Sequence, residues 1–198
     1  GKSLQSGTSH YLGQNFAKAF DIQYLSNEGT LKTAYTTSFG VSTRLIGAII
    51  MTHGDKRGLV LPPVVAPTQC VIVPIAARKG GVVEACEALK ADLEGAGIRV
   101  IFDNTENSPG WKFNEWEMKG VPVRIELGPR DIEAGKMVCA RRDTLEKTEL
   151  PLSNAAESVK ALLAEIQKNM LETARARRDE RIVYADDMAG ILAGVEAG

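Results

Sequence analysis

The sequence predicts an α/β protein: an α+β segment with antiparallel strands, followed by a small α/β domain with a mixed sheet and flanking helices. Of its 198 residues, 44% are hydrophobic and 25% charged, which is typical of a globular chain. The apolar residues form short strand-like runs and one-sided helical patterns. A proline-rich stretch at residues 62–67 separates the two parts. We therefore predict domains at 1–64 and 65–180, with 181–198 as a tail or the start of a further extension.

The first part alternates polar loops with short apolar segments. Its opening is a Gly/Ser/Thr/Gln-rich loop, followed by a short segment at 15–24, a polar turn at 26–30 and a strand at 33–39. Residues 45–51 form a helix that is apolar on nearly every side, and such helices are usually buried. Because the chain begins with Gly and carries no signal peptide, we expect it to be a piece of a longer protein.

The second part has the order of an α/β domain. Residues 70–75 are a continuous apolar run, typical of a strand covered on both faces. A helix at 82–96, which Gly97 ends, and a strand at 98–102 make this a parallel strand–helix–strand unit. Ser108 and Pro109 predict the start of a helix over 111–119. Two strands at 121–127 and 136–140, joined by a Gly-Pro turn, complete the domain.

A long helix and a short tail follow. Asn154 and Glu157 have the spacing of a capping box, and apolar residues from 159 to 170 trace one helical face. The helix runs into a mixed basic stretch at 175–181, which is more often a solvated face than an RNA contact. The tail at 188–198 is small and apolar without capping residues, so we expect it to be poorly ordered.

Composition limits the classes of function. No apolar run approaches the roughly 20 residues of a membrane helix, so no membrane span is predicted. The net charge is −1, and any contact with nucleic acid must therefore come from a local basic patch. The three cysteines are far apart and form no Cys-x-x-Cys pair. This spacing predicts a reduced, cytoplasmic protein without a zinc site.

Two features of the first part point to a ligand. Arg44 lies between a strand and an apolar helix, where a charge needs an anionic partner, either in a structural ion pair or in a ligand. Gly40 and Gly47 flank it, and glycines let a flat ligand approach the backbone. The polar stretch at 5–10 is either an ordinary surface loop or a loop that lines a ligand.

Four stretches together resemble prolyl-tRNA synthetases, in particular the archaeal/eukaryotic-like form of this class II enzyme. They are GTSHYLGQNF at 7–16, GVSTRLIGA at 40–48, HGDxxGLVLPP at 53–63 and SPGWKFNEWEMKGVPVRIELGPRD at 108–131. The resemblance extends over residues 2–183. It implies that 1–64 is the end of the catalytic domain, with the third signature motif at 41–50, and that 65–180 binds the anticodon.

The resemblance assigns two sets of ligand positions to the first part. It places Gln5, Thr8, Ser42 and Arg44 at ATP, and it places His10, Phe39 and Gly40 at the proline pocket. A planar guanidinium suits an adenine ring and phosphate oxygens. Phe39 stands where the family often has Trp. Without the resemblance, His10 would be interpreted as a hydrogen-bonded core residue.

In the second part the resemblance assigns anticodon contacts to Phe113, Glu117, Arg124 and Arg130, the last in place of a frequent Lys. A carboxylate can accept hydrogen bonds from guanine N1–H and N2–H2, arginines can donate to guanine or phosphate, and aromatic rings stack on bases. Trp111, Phe113 and Trp116 supply such rings. The alternative is that Phe113 and Trp116 are core and that Glu117 and Arg124 form a surface ion pair.

The resemblance implies a parent enzyme that is a cytoplasmic homodimer. It activates proline with ATP and Mg2+ to prolyl-adenylate and transfers the prolyl group to tRNA(Pro). The first and second signature motifs are not in this sequence, so we expect no catalytic residue here and no activity of the chain alone. The alternative is a stand-alone tRNA- or RNA-binding module derived from a class II synthetase. A nucleotide-binding α/β module is disfavoured, because no Gly-x-Gly-x-x-Gly follows the first strand of the second part.

Overall fold

The computed structural model describes residues 4–197, which divide into two compact units between Ile49 and Ile50. The division precedes the predicted boundary at 64/65. The reason lies in the backbone of residues 59–61. Leu59 N–H donates to the carbonyl of Met118 at 3.0 Å, and Leu61 N–H donates to that of Gly120 at 3.2 Å, so this segment belongs to the second unit.

The first unit consists of two small antiparallel sheets and short helices. Its elements are β1 (Thr8–Gly13), α1 (Asn15–Ala19), β2 (Gln23–Leu25), β3 (Leu31–Thr33) and β4 (Thr36–Gly40), and α2 (Arg44–His53) follows. β1 pairs with β4 and β2 with β3, both antiparallel, as predicted. The loop prediction for β1 was wrong, because pairing with β4 makes a strand of a polar stretch without apolar alternation. No residue of α2 is buried within this chain, and its predicted burial in a larger body stays a prediction.

The second unit is built on a mixed sheet, as predicted, and this sheet has five strands. Its strands are β5 (Cys70–Pro74), β6 (Val100–Phe102), β7 (Val123–Leu127), β8 (Lys136–Arg141) and β9 (Lys147–Pro151). Their order is β6-β5-β7-β8-β9, with β5 parallel to β6 and β7 and the remaining pairs antiparallel. The sequence analysis missed β9 because it is a polar edge strand.

The helices of this unit follow the strands in chain order. They are α3 (Val82–Gly95), α4 (Pro109–Met118), α5 (Pro129–Glu133), a 3-10 turn (Leu152–Asn154), α6 (Ala155–Asp179) and α7 (Met188–Ala197). α4 begins as predicted, with Ser108 Oγ accepting from Trp111 N–H at 3.4 Å. The predicted capping box of α6 does not form, because the Asn154 side chain accepts from the Ser158 hydroxyl instead. The tail forms α7 over Met188–Ala197, and residue 198 lies outside the described residues.

The two faces of the sheet bury different residues. α3 and α6 pack on one face around a large apolar core that includes Ile72, Ile125 and all three cysteines. α4 lies on the other face, where Phe113 and Trp116 pack against a smaller cluster formed by Val71, Val73 and Val121. Side chains alternate along a strand, so β7 directs Ile125 into the large core and Arg124 and Glu126 to the α4 face. The charged residues singled out in the sequence therefore share this face.

None of the helices described between residues 4 and 197 combines the length and hydropathy that a membrane crossing requires.

Candidate functional site

The first unit contains a groove at the ends of β1 and β4. Thr8 pairs with Gly40 across these strands, which brings the loop before β1 next to the loop after β4. The groove is lined by all four residues predicted to contact ATP and by Gly40, namely Gln5, Thr8, Gly40, Ser42 and Arg44. Residues more than 30 positions apart in the sequence thus meet at one place.

Arg44 is exposed at this groove. Its Nη1 donates to Gln5 Oε1 at 2.8 Å, and its backbone N–H donates to Ser42 Oγ at 3.3 Å. Among residues 4–197 no carboxylate forms an ion pair with Arg44, so the structural ion pair considered above is not seen in the described chain. Its guanidinium is paired only with the neutral side chain of Gln5 in the described residues.

The three residues predicted for the proline pocket do not share one face. His10 pairs with Ser38 and Thr8 with Gly40, which places His10 and Gly40 on the face of the groove. Phe39 pairs with Ser9 and therefore lies on the opposite face, where it is 76% exposed. His10 is exposed, and its interpretation as a core histidine is wrong.

The second unit brings Glu117 and Arg124 together in a charged cluster on the α4 face. Arg124 Nη1 donates to Glu117 Oε1 at 3.1 Å, and its Nε and Nη2 donate to Glu126 Oε1 at 3.2 and 3.0 Å. The side chains of Arg124 and Glu117 are 10% and 17% exposed. The ion pair of the alternative interpretation is therefore present, but it is largely buried and belongs to a larger network instead of lying at the surface.

Phe113 is the apolar base of this cluster. The guanidinium carbon of Arg124 lies 4.0 Å from the centre of its ring, which is a cation–π contact. Lys147 Nζ lies 5.6 Å from the same ring and donates to Glu126 Oε2 at 2.8 Å. Phe113 is thus half-buried, with the charged groups of Arg124 and Lys147 over its ring. Trp116 is held in the core cluster, where its Nε1–H donates to Asp103 Oδ2 at 2.8 Å.

On the sheet itself, sequence reasoning missed Glu126 and Lys147 as members of the cluster. Glu126 could have been found from the sequence, because residues two apart on a strand share a face and Arg124 was already a candidate. Lys147 could not, since it lies on the unpredicted β9. Arg130, by contrast, lies in α5 beyond β7 and is exposed. No side-chain hydrogen bond joins it to another described residue.

A segment that precedes the sheet completes the cluster. Arg57 Nη1 donates to Glu117 Oε2 at 3.0 Å, so each carboxylate oxygen of Glu117 accepts from one arginine. Arg142 donates through both terminal nitrogens to Asp55 at 2.7 Å and through Nε to the backbone carbonyl of Glu117 at 2.9 Å. The hydrogen bonds from Arg142 lower the pKa of Asp55 to about 2.

Glu117 is ionised at neutral pH. Partial burial acts to raise its pKa, but the hydrogen bonds and charges of Arg57 and Arg124 outweigh burial, and the pKa is lowered. An ionised carboxylate has about four acceptor positions, of which two are filled here. The remaining two can accept a pair of neighbouring N–H donors from a ligand.

Neither site is built to hold a metal ion. No group of three or more His, Cys, Asp or Glu suited to metal binding occurs in the described part of the chain, and no carboxylate lines the groove around Arg44. Mg2+ prefers carboxylate and phosphate oxygens. The residues described here do not fit an Mg2+ site, and we assign the ion no ligand in this chain.

Comparison with known proteins identifies the domain and the family. Residues 69–162 match the family described as anticodon binding domain. The proline–tRNA ligase 2 of Clostridioides difficile (strain 630) is 55% identical over 189 residues, which are 95% of this chain and 39% of that protein. The chain belongs to the prolyl-tRNA synthetase family. It spans about two fifths of the length of the prolyl-tRNA synthetases that it matches.

The fold agrees with that of a solved prolyl-tRNA synthetase, that of Cryptosporidium parvum. Its crystal structure complexed with halofuginone and AMPPNP superposes with a TM-score of 0.89 at 41% identity, over 98% of this chain and 40% of that one. A second crystal structure, complexed with L-proline and AMP, gives the same TM-score and identity over 42% of that chain. The family's anticodon binding domain begins at residue 69, so Asp55 and Arg57 lie outside it.

Proposed function

We propose that this chain supplies the anticodon-binding domain and the end of the catalytic domain of a cytoplasmic proline–tRNA ligase. The observation that carries the proposal is the Glu117 carboxylate. It lies in a family-matched anticodon binding domain and is fixed by two arginines, with two acceptor positions left for a base.

The chemistry of guanine suits this carboxylate. Guanine N1–H and N2–H2 form a pair of neighbouring donors, whereas adenine has an acceptor at N1 and no amine at C2. Glu117 therefore accepts two hydrogen bonds from guanine and meets a repulsive acceptor in adenine. The proline anticodon contains two guanines. Arg124 and Lys147 add positive charge beside the carboxylate for guanine O6, N7 or phosphate, and Phe113 supports Arg124 from below.

In the first unit we propose that the groove takes ATP and, beside it, proline. The exposed Arg44 would pair with the phosphates and stack on adenine, while Gln5, Thr8 and Ser42 supply polar contacts around it. His10 and Gly40 would border proline on the same face. Phe39 lies on the opposite face of the two strands. It would contribute only by packing against other parts of the enzyme.

The groove is one part of a larger active site. The parent enzyme would form prolyl-adenylate and transfer the prolyl group to tRNA(Pro), as a homodimer that requires Mg2+. The chain alone would be inactive, because the first two signature motifs, which build the dimer and hold the α-phosphate, would have to come from elsewhere in that enzyme.

Binding of an anticodon hairpin tests the anticodon proposal. We would titrate a fluorescent RNA hairpin that carries the proline anticodon with the chain and measure anisotropy, using the hairpin with both guanines changed to adenine as control. Discrimination by about 1–3 kcal/mol per base, or roughly 5- to 150-fold, is expected. Equal affinity for the two hairpins would refute anticodon reading.

The activity proposal requires two further assays. The chain should catalyse no proline-dependent ATP–pyrophosphate exchange, and measurable exchange would show that its site is complete. In the longer enzyme, Arg44→Ala should raise the ATP requirement and slow adenylate formation. Unchanged activation kinetics would make Arg44 structural.

The second candidate is a stand-alone RNA-binding module. The separate core of the second unit, with its own five-stranded sheet, favours it. Cloning the whole gene distinguishes the two candidates. A stand-alone module, expressed at its native length, would bind the hairpin and would still lack exchange activity.

A further inference from the structure

Residues 54–61 are held against the C-terminal end of α4, next to Glu117. Leu59 N–H and Leu61 N–H donate to the carbonyls of Met118 and Gly120 at 3.0 and 3.2 Å, so the segment runs beside the backbone that leaves the helix. A bidentate pair between Asp55 and the buried Arg142 holds the start of the segment, with both N···O distances 2.7 Å. This anchoring fixes where residue 57 emerges.

Arg57 emerges from this anchored turn toward the Glu117 carboxylate. Its backbone N–H donates to Asp55 Oδ1 at 2.8 Å, and its Nη1 donates to Glu117 Oε2 at 3.0 Å. Its side chain is 57% exposed, whereas that of Arg124, on the other oxygen, is 10% exposed. Arg57 therefore contributes little packing, and its contact with Glu117 is its main side-chain contact in the described structure.

Two hydrogen bonds fix the orientation of a carboxylate better than one. Rotation about the terminal bond of a glutamate is soft and roughly two-fold, so a single bond to Arg124 would leave the plane of the Glu117 carboxylate free to turn. A second bond from Arg57 to the other oxygen defines that plane. Guanine requires both oxygens in the plane of its Watson–Crick edge, because its two donors are coplanar.

We propose that Arg57 is a positioning residue for guanine recognition: it fixes the plane of the Glu117 carboxylate from a segment outside the anticodon binding domain at 69–162. This inference rests on the proposed function of the Glu117 cluster. Arg57 does not itself read a base. It acts through Glu117, and the anticodon site is incomplete without Arg57 and the Asp55 that anchors its segment.

The main alternative is that Arg57 contacts an RNA phosphate directly, since an exposed arginine suits that role as well. The two roles differ in their consequences. A phosphate contact adds affinity for every sequence and steepens the salt dependence of binding. A positioning contact changes the ratio between guanine and adenine hairpins and leaves the salt dependence unchanged.

The test measures dissociation constants of the full chain for the guanine and adenine hairpins, at two salt concentrations and across pH. The variants are Arg57→Ala and Arg57→Lys, and the matched control is Lys56→Ala, which removes an exposed cation from the neighbouring position. Urea unfolding of each variant checks that the fold is retained, which we expect because Asp55 and Arg142 still anchor the segment.

For Arg57→Ala we expect the guanine preference to fall by about three- to tenfold, as for loss of one charge-assisted hydrogen bond. Loss of one cation also raises the pKa of Glu117, so discrimination should fade at a higher pH than in the wild type. Arg57→Lys should restore most of the preference, because the contact uses a single donor. Lys56→Ala should keep the full preference.

Three results would overturn the proposal. An unchanged preference in Arg57→Ala would make the contact an exposed ion pair without a role in reading. An equal loss of affinity for both hairpins, with a shallower salt dependence, would make Arg57 a phosphate contact. If the wild type itself shows no preference, the proposed anticodon function fails first, and this outcome is distinguishable from the other two.

Discussion

Replacing Gly120 by alanine should destabilise the second unit far more than the same change at Gly97. Both glycines have a positive φ, +72° and +81°, so an added Cβ strains the backbone at either position. The left-handed conformation costs an alanine about 1–2 kcal/mol. At Gly97 nothing lies within 4 Å of the added Cβ, and the change should cost this amount alone.

At Gly120 the added Cβ would also collide with the anchored segment. It would lie 2.6 Å from Leu59 Cβ and 2.7 Å from the carbonyl carbon and oxygen of the same residue. Because these atoms include backbone, Leu59 must move, and overpacking of this kind costs about 1–3 kcal/mol more. We therefore expect a total loss of about 2–5 kcal/mol in the free energy of unfolding.

Urea unfolding followed by tryptophan fluorescence measures the difference directly. The two tryptophans of the chain, Trp111 and Trp116, both lie in α4 of the second unit, so the signal reports this unit. Equal losses for Gly120→Ala and Gly97→Ala would refute the reasoning, because they would show that residues 59–61 are not packed against the end of α4.

Two further predictions concern titratable groups. Burial raises the pKa of Cys86 to about 11 and of Cys139 to about 12, and it raises that of Cys70 well above the usual value, so Ellman's reagent should label none of the three thiols until the chain unfolds. The pKa of Asp55 is lowered, so its pair with Arg142 stabilises the fold above the unfolded pKa near 4, and this contribution is lost as the pH falls toward 2. Asp55→Asn should lower the free energy of unfolding by about 1 kcal/mol at pH 7, allowing for solvent screening of the half-exposed carboxylate. The variant should also lose less stability than the wild type between pH 4 and pH 2, which urea midpoints measured across this pH range would show.

The elements with a strong periodic signal were predictable. The buried strand β5 is a continuous apolar run, and α4 begins directly after Ser108 because a hydroxyl cap and a proline at the first helical position both favour a helix start. The polar strands β1 and β9 had no such signal. Their pairing is decided by partners distant in sequence, and propensity within a short window does not contain that information.

The site shows the same division. Glu117 and Arg124 were found from their motif, and the strand period alone indicates Glu126. The contribution of Arg57 could not be predicted, because it depends on a segment that returns to α4 from 60 residues away. The opposite faces of His10 and Phe39 likewise follow from the register of β1 on β4, which the sequence does not state.

The central claim is that the Glu117 carboxylate distinguishes guanine from adenine in the anticodon. The most direct measurement compares Glu117→Gln with Glu115→Gln, a control on the same helix whose carboxylate pairs with Lys119 at 2.6 Å. Each variant is titrated with the guanine and adenine hairpins. We predict that Glu117→Gln loses most of the guanine preference, because the amide puts a donor where guanine also has one, while Glu115→Gln keeps it. Equal guanine preference in the wild type and Glu117→Gln would contradict the claim and leave Glu117 a structural partner of its two arginines.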